Sequence, residues 1–128
     1  MFREAIERQD MDAVDDLLAD DVVFLSPVAF TPYPGKAITS AILRTVVEVF
    51  EDFRYVRQLR DGDQEAYVFT ATVDGLEITG CDFLTLDEDG KIVEFMVMTR
   101  PLKASQALAA AMTERFPQIE AAARAASS

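Results

Sequence analysis

The sequence contains no histidine. That absence removes imidazole general-base catalysis and the Ser-His-Asp and Cys-His routes to an activated nucleophile. There is one cysteine, Cys81, so no intrachain disulfide can form. One thiol without imidazoles also cannot assemble a zinc site. Acid–base chemistry is left to carboxylates, Tyr, Lys or the single thiol. No stretch approaches the roughly 18 apolar residues of a membrane-spanning helix. The opening MFREAIERQDMD is charged in its first turn and lacks the apolar segment of a signal peptide. With the unpaired thiol, this sets a cytoplasmic expectation. Basic residues are scarce: 12 Lys and Arg stand against 23 Asp and Glu, a net charge of −11. Scattered cations cannot track a phosphate backbone, and the acidic balance disfavours anionic membranes, so neither nucleic acid nor membrane is an expected partner. Neutral or cationic ligands suit the charge better.

What is present is apolar: half of the 128 residues are hydrophobic, enough for the core of one domain spanning 1–128. The spacing of Phe2, Ala5 and Ile6 predicts a short helix over 2–9, and Asp10 can cap a second carrying Met11, Val14, Leu17 and Leu18. VVFLS at 22–26 reads as a strand. Pro27, Pro32 and Pro34-Gly35 make 27–35 a rigid loop. A helix over 36–51 follows, with Ile38, Ala41, Ile42, Val46, Val49 and Phe50 as its stripe. Then the period changes to two. Strands are predicted over 53–60, 65–73, 76–86 and 91–99, separated by Asp61-Gly62-Asp63, Asp74-Gly75 and Asp87-Glu88-Asp89-Gly90. Pro101 suits the first turn of a last helix, Pro117 is expected to end it, and the Ala-rich tail over 113–128 reads as helical or frayed. The fold class is α+β: a curved antiparallel sheet packed against helices around an apolar pocket.

A two-residue turn at Asp74-Gly75 fixes the register: Val73 faces Leu76, Ala71 faces Ile78, Phe69 faces Gly80 and Tyr67 faces Asp82. One sheet face then carries Tyr67, Phe69, Ala71, Val73, Leu76, Ile78, Gly80, Asp82, Leu84, Leu86, Val93, Phe95 and Val97, and is the face the helices should cover. The other carries Val68, Thr70, Thr72, Thr79, Cys81, Phe83, Thr85, Ile92, Met96 and Met98. It is too apolar for water, so a homodimer through this face is expected, the alternative being that the last helix folds over it.

Asp82 stands out as a carboxylate in the middle of the apolar face, beside Gly80, which leaves room above the sheet. A buried carboxylate must be paired, hydrogen-bonded or protonated. Tyr67 is its cross-strand neighbour, and Arg57 reaches it if the Asp61-Gly62-Asp63 turn keeps Phe53, Tyr55 and Leu59 on that face. Tyr33, in the Pro-rich loop, is placed to rim or lid the pocket.

The segments DMDAVDDLLADDVVFLSP, TPYPGK, GLEITGCDFLTL and DEDGKIVEFMVMTRPL, in that order, resemble the nuclear-transport-factor-2-like superfamily over about residues 2–112, and within it the SnoaL-like branch that includes polyketide cyclases. The resemblance implies a cone-shaped fold, a pocket between sheet and helices, and dimers formed through the sheet. It also implies a range of activities: ketosteroid isomerases, scytalone dehydratase, limonene-epoxide hydrolases and cyclases belong to it, and transport adaptors that catalyse nothing. Dehydratase-type sites use His, which is absent. The epoxide hydrolases' Arg-x-Asp is replaced by FTATV, and their second Asp finds no carboxylate in the middle of FMVMT. Isomerase-type sites use Tyr and Asp in an apolar pocket, and Tyr67 and Asp82 supply those residue types without mapping onto that group's positions.

The candidate catalytic residues are Asp82, moving a proton, and Tyr67, orienting it or stabilising an enolate-like oxygen. The candidate ligand pocket comprises Tyr33, Tyr55, Arg57, Phe69, Gly80, Phe95 and Val97. Against these stand a structural Asp82 and tyrosines that only satisfy their own hydroxyls. Cys81 reads as an inert buried thiol, Met96 and Met98 as packing, and Arg100 as half of a surface ion pair. Asp87-Glu88-Asp89-Gly90 echoes a calcium loop but lacks its remaining ligands and closing Glu. No cofactor or metal is expected. Two functions stay open: proton-transfer chemistry (isomerisation, cyclisation, hydration or dehydration) on a small apolar or cyclic molecule, or a non-catalytic binding or dimeric interaction module.

Overall fold

The computed structural model describes residues 1–127. The order is α1 (Phe2–Glu7), α2 (Met11–Leu17), β1 (Leu18–Leu25), β2 (Tyr33–Pro34), α3 (Lys36–Val49), β3 (Glu51–Asp61), β4 (Gln64–Val73), β5 (Leu76–Leu86), β6 (Ile92–Arg100) and α4 (Leu102–Ser127). Asp10 caps α2 by accepting from the Ala13 backbone N–H at 3.1 Å. Among the described residues no helix is long and apolar enough to cross a membrane.

Six strands form one curved, unclosed sheet in the order β2-β1-β6-β5-β4-β3. Its hairpin-linked strands are antiparallel, but β1 runs parallel to β6, so the sheet is mixed. Short turns dictate antiparallel neighbours, whereas β1 reaches β6 only after most of the chain has intervened, and its direction is free of that constraint. Asp74 and Gly75 both adopt positive φ, 50° and 76°, as a two-residue hairpin turn of the primed type requires. The register follows as expected: Val73 pairs with Leu76, Phe69 with Gly80, Tyr67 with Asp82.

Register shifts fall between Leu18 and Val23, Glu51 and Arg54, Tyr55 and Arg57, and Thr85 and Leu86, and the last two alter the expected facing. In β3 the pairing shifts between Tyr55 and Arg57, leaving Val56 as the extra residue. Phe53 and Tyr55 face the helices, but Arg57 pairs with Val68 on the outer face, and Leu59 is exposed. In β6 a shift between Thr85 and Leu86 sets Ile92 opposite Leu86. Ile92 is therefore buried in the core and Val93 only half-buried, the reverse of uninterrupted alternation.

All four helices lie on one side. Ala104 and Leu108 of α4 pack with Ala71, Val73 and Ile78, so the last helix covers the same face as the others and leaves the outer face bare. Pro117 does not end α4, which continues to Ser127 with Ile119 buried in the main core. Burial of Phe116 and Ile119 outweighs the lost backbone bond. Ser128 lies outside the described residues.

Candidate active site

A cavity of about 390 Å³ lies between the sheet and the helices. Its floor is Ser26, Phe69, Asp82, Phe95 and Val97; Phe53 and Tyr55 stand at one side, Phe24 at the other, and α3 and α4 roof it. Among its lining residues Val28 and Thr113 are exposed, which places the mouth between the Pro-rich loop and α4. Tyr33 stands at this rim, its ring 5.6 Å from that of Phe116.

Asp82 is the single carboxylate in the lining, and only 7 % exposed. Tyr55 donates its hydroxyl to Asp82 Oδ2 at 3.0 Å. Oδ1 has no protein partner among the described residues. No fully enclosed side-chain polar atom there is orphaned, so Oδ1 must reach the cavity. Burial pushes the Asp82 carboxyl up to about 7, and the Tyr55 hydrogen bond, which favours the anion, opposes that rise. Tyr55 is driven strongly upward by burial and by the adjacent Asp82, so it stays a neutral donor.

The tyrosine that serves Asp82 is thus Tyr55, not Tyr67. Tyr67 does lie opposite Asp82 in register, but its hydroxyl donates to Glu65 at 2.7 Å and its ring is outside the cavity lining. Its hydroxyl is also raised, mainly by burial. Long side chains span an intervening strand, so a residue on β3 outreaches the direct neighbour. Tyr55 lines the cavity as the pocket reading expects, and counted from the Asp61-Gly62-Asp63 turn it is the bulge at Val56 that sets it inward. The same bulge removes Arg57 from the site: it is exposed on the opposite face. Gly80 does not line the cavity either. A Cβ there would meet the Phe69 ring at 2.2 Å, so the room above Gly80 is occupied by Phe69 itself. Tyr33, Phe69, Phe95 and Val97 are all in the lining, together with Ser26, Phe24, Phe53 and residues of α3 and α4 that strand patterning does not point to.

Phe2 of α1 closes the sheet end of the site, with ring centroids 5.5 Å from Tyr67, 5.5 Å from Phe95 and 6.5 Å from Tyr55. Cys81 is half-buried on the outer face, its thiol raised by burial. Among the described residues there is no cluster of three or more groups that could hold a metal.

The pattern of the SnoaL-like domain matches residues 1–95. The chain belongs to the SnoaL-like family. Solved structures agree with that assignment. This SnoaL-like chain is 43% identical to a steroid delta-isomerase from Pseudomonas aeruginosa, with 94% of this chain and 90% of that chain covered and a TM-score of 0.87. It is 34% identical to an uncharacterised bacterial protein with a cystatin-like fold from Silicibacter pomeroyi DSS-3, over 94% and 90% of the two chains, at a TM-score of 0.84. A nuclear-transport-factor-2-like protein of unknown function from Cytophaga hutchinsonii, 18% identical over 78% and 84% of the chains, shares the fold at a TM-score of 0.61. No curated protein matches.

Proposed function

We propose that this SnoaL-like protein is a cofactor-independent isomerase that shuttles a proton within a small, largely apolar, cyclic ketone. The observation that carries the reading is Asp82: one carboxyl with an ionisation near neutrality, one oxygen held by Tyr55 and the other open to an apolar cavity. A base matched to the working pH can take a proton from carbon and return it. The lining holds no second carboxylate and no amine, so the group that removes the proton also has to deliver it. That favours net-neutral isomerisation over hydration or dehydration, which require a second group to handle water. In a β,γ-unsaturated ketone, Oδ1 takes the α-proton, the electron pair forms a dienolate, and the carboxylic acid returns the proton at the γ-carbon. Tyr55 holds the carboxylate in place and partly offsets its burial. The apolar walls suit a ring system, and likeness to a steroid delta-isomerase supports the same substrate class.

The test is conversion of cyclic β,γ-unsaturated ketones, steroidal ones included, followed by the absorbance of the conjugated product. Wild type is expected to turn over at least one, and Asp82→Asn to lose on the order of 10²-fold or more in kcat with its circular dichroism unchanged. Equal turnover by the variant refutes the assignment. Binding without turnover in wild type would instead make the protein a binding module.

A further inference from the structure

The strand register places a second polar group on the cavity floor. Phe24 pairs with Phe95 and Leu25 with Met96 along the parallel β1–β6 ladder, so the next residue, Ser26, comes level with Val97. Val97 pairs with Asp82. Ser26, Val97 and Asp82 therefore form one row across three strands, and all three line the cavity. Two strand spacings separate Ser26 from Asp82, about 10 Å between backbones.

The Ser26 hydroxyl is not free to turn. Its oxygen accepts from the backbone N–H of Val28 at 3.0 Å and of Ala29 at 3.2 Å. Both lone pairs are committed, and what remains is the O–H proton, which has no acceptor among the described residues. A hydroxyl that can only donate, fixed on the floor of an apolar cavity, is suited to a ligand oxygen.

We infer that Ser26 is a specificity-determining residue: it donates a hydrogen bond to a second oxygen of the ligand, at the opposite end from the function held by Asp82. The ligand is then a rigid apolar ring system with an oxygen at each end, not a mono-oxygenated one. This rests on the ligand class proposed above and adds the second recognition point.

Two naphthalenes test it, 2-naphthol and 2,6-dihydroxynaphthalene, titrated by their own fluorescence against a protein without tryptophan. The second hydroxyl is expected to tighten binding to wild type by about two- to tenfold, the range of one hydrogen bond. Ser26→Ala is expected to bring the ratio of the two affinities to about one, and Ser26→Thr to restore it. Ser26→Ala also frees the Val28 and Ala29 N–H groups, but a loosened loop weakens both probes alike and leaves the ratio unchanged. A ratio near one in wild type, a ratio that survives Ser26→Ala, or failure of both probes to bind overturns the inference. The ratio does not depend on turnover. A chain that isomerises nothing can still show it, and one that isomerises ketones can fail it.

Discussion

At the scale of single residues, the side chain that serves Asp82 sets how the site behaves. Tyr55 donates to it and Tyr67 does not, so the two tyrosines have different consequences when the hydroxyl is removed. Tyr55→Phe should raise the Asp82 midpoint above its wild-type value, because the bond that favours the anion is gone. Tyr67→Phe should leave that midpoint in place and instead cost about 1 kcal/mol of stability, in keeping with one lost hydrogen bond. Carboxyl-carbon NMR and urea denaturation read the two effects separately. Asp82 also shapes stability against pH. Its folded-state pKa is raised from 3.8 to about 7, so its contribution favours the fold below about pH 4 and is lost as pH rises through 7. Asp82→Asn removes that dependence. The variant should be more stable than wild type at pH 9, by on the order of 4 kcal/mol, and show little advantage at pH 4. Comparing variant with wild type cancels the repulsion that the other carboxylates add as pH rises.

At the scale of elements, two features carry predictions. Gly80 lies under the Phe69 ring, and any Cβ there must displace it. Gly80→Ala should cost about 1–3 kcal/mol and disturb the cavity floor, since the Phe69 ring must shift into the cavity it lines. Pro117 sits inside α4, where it removes a helical hydrogen bond. Pro117→Ala should raise the thermal midpoint, by an amount worth up to about 3 kcal/mol. The elements also show what the sequence could reveal. The Asp74-Gly75 turn is a strong local signal, and the β4–β5 register, including the inward Asp82, was legible from it. The bulges at Val56 and beside Leu86 carry no comparable signal. They exist because curvature of the whole sheet demands them, and a residue-by-residue count of alternation cannot see that. Arg57, Leu59, Ile92 and Val93 face opposite to strict alternation for this one reason. Local rules make Pro117 a helix stop, whereas tertiary burial of Ile119 carries α4 through it.

At the scale of the whole molecule, the helices spend their apolar surface on one face of the sheet. The other face bears Val68, Cys81, Phe83, Met96 and Met98 without cover from within the chain, and Met98 is 53% exposed. We propose that a second copy of the chain covers this face, as expected from its composition. Sedimentation at micromolar concentration should give a dimer for wild type and a monomer for Met98→Glu combined with Phe83→Arg. A monomeric wild type would leave the face to another partner.

The decisive measurement is the titration of Asp82, followed through its carboxyl carbon by NMR from pH 3 to 9. A proton-shuttling Asp82 should show a midpoint near 7 in wild type, rising further in Tyr55→Phe. A midpoint near that of a free aspartate, about 4, would mean a solvated carboxylate and contradict a proton-shuttling role in an apolar cavity.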